Sequence, residues 1–396
     1  MTVPTAELRW DPYDRSLDEN VHQLWKQMRD QRPLYYNEVY DFYALTRHAD
    51  FKAALLDWST FSSAHGVILD LMKNPEAVAS VRNMLFEDPP EHDMHRGTLA
   101  GVFTPRRVAG LEPAITERCA QLLDRLSGDR FDVVTGFADR LPTAVIGALL
   151  GVRPEDYELI VDLSNAYLTR GDVQAGMRAR MELREYFRDL IEQQRKSPAD
   201  SLIGDLVQVK VTEDGVERLL TIDEMLNQVN VLALAGNETT NRFIGWSVLT
   251  LARYPGQRAE LAAEPALLKV AFEELLRFEP PTVYTGRTTT RDVEMCGQTI
   301  PDGAHVLLIT MSASRDERVF DDPDRLDIRR KTAANQVGFG AGPHYCLGAG
   351  LARLEGRVAL REILRRWPEW DIDLERSVRF PSSAVRGWSN LWVVPK

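Results

Sequence analysis

The segment from Thr221 to Pro255 restricts the fold more than any other part of this 396-residue chain. Thr221-Ile222-Asp223-Glu224 carries the capping-box pattern, in which a threonine and an acid three residues later satisfy each other's backbone donors, and Pro255-Gly256 supplies a stop. The helix between them spans about 32 residues, roughly 48 Å, enough to cross the molecule. Further helices with apolar spacing are expected near 105–126, 136–150, 154–168, 174–195, 266–278 and 347–367. Short β-prone runs at Pro33 to Tyr36 and Phe42 to Thr46 flank a polar turn, and a longer β-prone stretch from Val283 to Thr310 contains the turns Cys296-Gly297 and Pro301-Asp302-Gly303. With no βαβ alternation and no internal repeat, the expected class is mainly α with a smaller β-rich region. We expect one composite domain over 1–396, β-rich at about 33–47 and 283–310 and helical at about 91–280 and 347–367.

Composition narrows the function classes. Apolar residues make up 44% and charged residues 27%, a globular profile. The formal charge of −11 argues against a general affinity for nucleic acid or anionic membrane, and no apolar run reaches spanning length. Met1 to Ser16 lacks a basic, apolar leader, so a cytoplasmic protein is expected. Three scattered cysteines, Cys119, Cys296 and Cys346, form neither a disulfide framework nor a four-cysteine zinc site, so any cysteine chemistry must be solitary.

Two segments point to chemistry. In Phe339-Gly340-Ala341-Gly342-Pro343-His344-Tyr345-Cys346-Leu347-Gly348, two glycines and a proline force a turn just before a helix whose apolar face is Leu347, Leu351, Leu354 and Val358. A sulfur at such a helix start is favoured as thiolate, the form that ligates a metal. The middle of the long helix reads Ala235-Gly236-Asn237-Glu238-Thr239-Thr240. Glycine and consecutive threonines weaken helix propensity there, so a local widening or kink is expected. Small residues let a flat cofactor approach the backbone, and the neighbouring acid and alcohol can relay protons.

The ten-residue cysteine loop resembles the ligand loop of the cytochrome P-450 family, and Ala235 to Thr240 resembles its oxygen-activation motif. The resemblance runs from Pro33 to Arg386-Gly387 with the motifs in family order. It implies a triangular, mainly helical fold around haem b, with Cys346 as proximal iron ligand, Phe339 shielding the sulfur, and Ala235 and Gly236 beside the cofactor. It also implies Glu238 as the acid that connects to solvent and Thr239 as the alcohol beside bound oxygen. His92, Arg96, Arg287 and His344 would hold the haem propionates, while His95 is unassigned. Glu274 and Arg277 resemble the family's Glu-x-x-Arg core pair, to which Arg325 or Arg330 would add a third arginine. Gln336 departs from the histidine that bacterial members often carry there.

The implied activity is monooxygenation of a small to medium, largely apolar substrate with dioxygen, using NAD(P)H electrons through a separate ferredoxin or flavodoxin and its reductase. Arg353, Arg357 and Arg361, four apart, are a candidate docking face for that acidic partner. Family geometry places substrate contacts in Ser62 to Phe86, Leu163 to Arg170, Asn230 to Leu234 and Val283 to Gly286. Val67, Ile68, Leu69, Tyr167, Leu234, Val283 and Tyr284 are the candidate pocket residues, several of them equally suited to ordinary core. Terpenoid, steroid, fatty acyl, aromatic and polyketide-like substrates all remain open. A peroxide-dependent peroxygenase and a non-enzymatic haem gas sensor or carrier are the competing functions.

Overall fold

The computed structural model describes residues 8–14, 21–80, 83–168, 173–213 and 215–396, with the side chains of 80, 165, 167, 168, 173, 213 and 234 outside that description. The longer helices are α1 (Val21–Gln31), α2 (His48–Leu56), α3 (Glu91–Ala100), α4 (Glu112–Leu123), α5 (Arg140–Leu150), α6 (Tyr157–Leu168), α7 (Val173–Lys196), α8 (Ile222–Arg253), α9 (Pro255–Ala263), α10 (Leu268–Phe278) and α11 (Ala349–Arg366). The strands are β1 (Leu34–Asn37), β2 (Phe42–Leu45), β3 (Phe61–Ser62), β4 (Phe131–Asp132), β5 (Lys210–Glu213), β6 (Val216–Leu219), β7 (Thr285–Thr289), β8 (Val293–Met295), β9 (Gln298–Ile300), β10 (His305–Leu308), β11 (Trp370–Arg379) and β12 (Trp388–Pro395). The chain divides into two compact units, both discontinuous in sequence. No helix among the described residues is long and apolar enough to cross a membrane.

The first unit comprises Met1–Asp88, Glu273–Cys346 and Ser382–Arg386. Its five-stranded sheet has the order β1-β2-β10-β7-β3, antiparallel except for the parallel β2–β10 pair. One core cluster gathers Trp10, Trp25, Phe42, Leu69, Val283, Tyr284 and Leu307. The Trp10 ring sits edge-on to Trp25, Phe42 and Tyr284 at 6.2, 5.7 and 6.1 Å, the arrangement aromatic quadrupoles prefer.

The second unit comprises Pro89–Phe272, Leu347–Pro381 and Gly387–Lys396, with α8 as its longest element. The capping box at its start is formed: Thr221 Oγ1 accepts from the Glu224 N–H at 3.2 Å, and Glu224 Oε2 accepts from the Thr221 N–H at 2.7 Å. Arg218 clamps the same carboxylate with both terminal nitrogens, and these bonds hold the Glu224 carboxyl down at about 2. Helix α11 reaches the Phe243–Phe272 aromatic pair only because Gly356 has no side chain. A Cβ there would lie 2.5 Å from Phe272 and 2.7 Å from Phe243.

Several sequence expectations need correction. The helix expected over 105–126 is two, Pro105–Gly110 and Glu112–Leu123, since Pro113 restarts the chain in the first turn, where its missing N–H costs nothing. Pro255 follows the end of α8 but also opens α9. The stretch to 278 is not wholly helical: Val211 and Thr212 lie in a β5–β6 hairpin whose turn includes Gly215 at φ +78°. The last long helix starts at Ala349 rather than Leu347. Beyond it, a β11–β12 ladder joined by β4 occupies a region to which the sequence reading assigned no element.

Candidate functional site

The cysteine loop belongs to the first unit and is shaped by its glycines. Gly340 and Gly342 adopt φ of +73° and +66°, which side chains of L-residues resist. A Cβ on Gly342 would also sit 2.5 Å from the Leu55 carbonyl oxygen near the end of α2. The loop closes on itself: the Cys346 N–H donates to the Phe339 carbonyl at 2.9 Å, and the Tyr345 N–H donates to that of Gly342 at 3.0 Å. Closure brings Phe339 and Cys346 together, with the Phe339 and Tyr345 rings 6.4 Å apart. His344 ends the short 3-10 turn from Gly342. Gln336 secures the approach, donating from Nε2 to Glu273 at 3.1 Å and accepting the Gly338 N–H on Oε1 at 2.5 Å.

Cys346 is half-buried and outside any disulfide. The other two cysteines sit in thiol-favouring surroundings. Burial pushes Cys119 far up, and burial together with Asp50, which accepts from its Sγ at 3.3 Å, pushes Cys296 up to about 11. Among the described residues no three His, Cys, Asp or Glu side chains cluster in a way that could hold a metal ion. A metal at Cys346 therefore needs its remaining donors from a macrocycle or another bound molecule.

Arg287 lies in β7 and is 3% exposed. Its Nη1 donates to Gly286 O at 2.6 Å and Thr285 Oγ1 at 3.1 Å, and no carboxylate of the described residues comes within ion-pair distance. Asp88 acts on it only at longer range, so burial lowers the guanidinium to about 10. A buried cation costs several kcal/mol unless an anion compensates it, so this position suits a bound anionic group. An iron macrocycle bearing carboxylates matches both this cation and a single thiolate ligand; the residues present fit haem.

The same unit contains the acid–arginine cluster. Glu274 and Arg277 are both fully buried and meet in a two-bond fork, Nε–Oε2 at 2.7 Å and Nη2–Oε1 at 2.9 Å. The third arginine is Arg330, whose Nε donates to Glu274 Oε1 at 3.1 Å; Arg325 contributes only its carbonyl, which accepts from Arg330 Nη2 at 2.8 Å.

The candidate pocket residues of this unit divide. Leu69, Val283 and Tyr284 are packed in the core cluster with Trp10 and Phe42, with the Tyr284 hydroxyl near the Leu69 N–H at 3.3 Å. Packing accounts for these three, and Val67 and Ile68 stay partly exposed. A cleft of about 710 Å³, lined in part by His65, Met72, Lys73, Pro75, Thr288 and His305, opens in this unit.

The second unit contains the remaining residues. Helix α8 continues through 235–240 without the expected widening; among the described residues the π turn lies instead at Val134–Ala138. Ala235 and Gly236 are exposed although Ala233 and Asn237 are buried, and a Cβ on Gly236 would meet only Ile146, at 3.9 Å. Thr239 donates its hydroxyl to the Ala235 carbonyl at 3.0 Å, leaving the oxygen lone pairs as acceptors. Burial raises the Glu238 carboxyl above its ordinary range, partly offset by Arg242, a residue the sequence reading missed despite its i+4 spacing. His92 is fully buried in α3 with Nδ1 2.8 Å from Asp93 Oδ1, and Arg96 lies one turn on. His95 faces Glu224 instead, at 3.9 Å. Tyr167 and Leu234 lie on α6 and α8, but their side chains are outside the described residues.

Of the proposed basic face on α11, Arg361 donates to Glu112 at 3.0 Å and to Thr116 at 3.0 Å, so its charge is already partly matched within the chain. Arg357 Nε donates to the Arg353 carbonyl at 3.0 Å.

The comparisons agree with this geometry. The sequence profile of the cytochrome P450 family matches residues 154–381. Cytochrome P450 123 of Mycobacterium tuberculosis is 38% identical over 395 residues, covering 98% of this chain and 97% of that protein. The erythromycin C-12 hydroxylase of Saccharopolyspora erythraea is 37% identical over 359 residues, 87% of each chain. The structure of cytochrome P450 CYP109Q5 from Chondromyces apiculatus superposes with a TM-score of 0.87 at 32% identity and covers 98% of both chains.

Proposed function

Because the chain belongs to the cytochrome P450 family and is a haem-dependent monooxygenase, we propose that Cys346 is its iron ligand and that Glu238 and Thr239 deliver the protons the reaction consumes. When bound, haem supplies the iron at which dioxygen is activated and from which one oxygen atom passes to substrate. The observation that carries this reading is the closed loop, in which Gly340 and Gly342 at positive φ and the Cys346-to-Phe339 bond leave one half-buried sulfur in a fixed place.

Phe339, held against the cysteine by that bond, keeps water from the sulfur. Arg287, His92, Arg96 and His344 neutralise the carboxylates of the cofactor. Ala235 and Gly236 offer no side chain beyond a methyl group, leaving space beside the helix. Burial shifts Glu238 towards its protonated form, the form that donates a proton, and Thr239, whose hydroxyl donates to the Ala235 carbonyl, keeps its oxygen lone pairs available to accept a hydrogen bond. Val67 and Ile68 contribute to an apolar substrate pocket, with Tyr167 and Leu234 further candidates.

Electrons come from NAD(P)H through a reductase and an acidic ferredoxin or flavodoxin, for which Arg353 and Arg357 are the docking candidates. The substrate is a small to medium, largely apolar organic molecule. The test is turnover with a reductase and ferredoxin under isotopically heavy dioxygen. One heavy oxygen atom in the product supports monooxygenation. Product formed with peroxide but not with the reductase chain would replace it with peroxygenase activity.

A further inference from the structure

Glu238 lies one turn before Arg242 on α8, the spacing at which side chains share a helix face. Among the described residues the Glu238 carboxyl makes no hydrogen bond and no ion pair within 4 Å. Arg242 is 4% exposed, and its guanidinium is held in place from several directions. Nη1 donates to the Trp388 carbonyl, and Cζ stands 3.7 Å over the centre of the Phe380 ring. Its stem occupies a slot that exists because residue 387 is glycine: a Cβ there would fall 2.1 Å from Arg242 Cδ and 2.9 Å from Cγ. Nε is buried and has no hydrogen-bond partner among the described residues. An arginine fixed in this way cannot reach out to solvent, so its charge must act inside the protein.

We propose that Arg242 is a positioning residue for the proton-delivering acid, a fixed internal cation that sets the charge state of Glu238. The inference rests on the role proposed above for Glu238. The groups acting on Arg242 are Glu238 and Asp139, the latter buried at the head of α5 and accepting a bond from Asn241. Other charged groups brought by neighbouring elements are engaged elsewhere. Arg184 and Arg188 of α7 pair with Asp223 in the first turn of α8, and Arg379 of β11 stacks on Trp246 and Trp388; Glu355 of α11 is the exception, a buried acid that bears on Cys119 and whose Oε2 has no hydrogen-bond partner among the described residues. Burial drives Glu238 towards the neutral acid, and Arg242 opposes it. Removing the guanidinium leaves burial unopposed, so the carboxyl holds its proton to higher pH and releases it less readily. Removing Asp139 leaves the cation less compensated and acts in the opposite sense.

The experiment is an infrared pH titration of the haem-loaded protein, following the protonated-carboxyl band that disappears in Glu238→Gln. Arg242→Gln should raise the midpoint of that band by about one pH unit or more, and Arg242→Lys should return it towards wild type. Asp139→Asn should lower it. An unchanged midpoint in Arg242→Gln overturns the proposal. If that variant does not fold, an unchanged or raised midpoint in Asp139→Asn overturns it instead. Wild-type product formation by Glu238→Gln would remove the proposed role of Glu238, while the midpoint still decides whether Arg242 governs its charge.

Discussion

Two acid–arginine pairs on helices of this protein look alike in sequence and differ in what surrounds them. Glu274 and Arg277, three apart, are fully buried and saturated: the carboxylate takes a two-bond fork from Arg277, a third bond from Arg330 and a fourth from the Asp327 N–H at 2.9 Å. Glu238 and Arg242, four apart, are coupled only through space, and the carboxyl has no bonded partner among the described residues. An acid gripped by four donors from separate segments holds structure together. One with none engaged can take up and give away a proton. The difference lies in the number of partners supplied by distant segments, which spacing along a helix does not reveal.

The largest expected effect tests the saturated pair. Glu274→Gln preserves shape but leaves Arg277 and Arg330 as buried cations without their anion, which should cost about 3–5 kcal/mol in urea unfolding and sharply reduce haem content. A loss below about 1 kcal/mol would show that the fork is not what holds this region together.

Glu355 offers an intermediate case, a fully buried acid on α11 whose Oε2 has no hydrogen-bond partner among the described residues and which burial raises to about 8. Its folded value lies above its unfolded value, so the folded state binds more protons between roughly pH 4.5 and 8, and stability falls as pH rises through that window. Glu355→Gln removes the ionisation. Between pH 5 and pH 9 the wild type should lose about 4 kcal/mol more stability than the variant, measured by unfolding at each pH. Parallel pH profiles would mean that Glu355 finds a partner when charged.

At the unsaturated pair the expected effect falls on rate rather than stability. Glu238→Gln should reduce product formation about 100-fold, roughly 2.7 kcal/mol, while shifting the unfolding midpoint little. A large stability loss with unchanged turnover would place Glu238 in the same class as Glu274. The smallest effect sharpens the origin of the helix that carries it: Thr221→Ala removes the cap acceptor from α8 and should cost about 1 kcal/mol in urea unfolding.

Local signals were legible where the chemistry is local. The Thr221–Glu224 box and the Pro255-Gly256 stop delimited α8 to Ile222–Arg253, and the turn at Asn37 to Asp41 marked the β1–β2 hairpin. The β11–β12 ladder was not legible although Trp370-Asp-Ile-Asp-Leu-Glu alternates as a strand does, because a short alternation does not reveal the partner strand that completes it. The hairpin at 210–219 was masked by helical stretches on either side. In the candidate site, the loop around Cys346 announced itself through its glycines. Arg330 could not be distinguished from Arg325, because the choice is made by Glu274, more than fifty residues away. Sequence also left open whether Leu69, Val283 and Tyr284 serve core or pocket, since both call for the same residue types; in the structure all three pack in the core cluster with Trp10 and Phe42. Arg242 was overlooked because its importance depends on Trp388, Phe380 and Gly387.

The most direct measurement of the central claim is the visible spectrum of the reduced, haem-loaded protein with carbon monoxide, for wild type and for Cys346→His. Thiolate ligation by Cys346 requires the red-shifted Soret band in wild type and its loss in the variant. A folded, haem-supplied wild type without that band, or a variant that keeps it, would contradict Cys346 as the iron ligand.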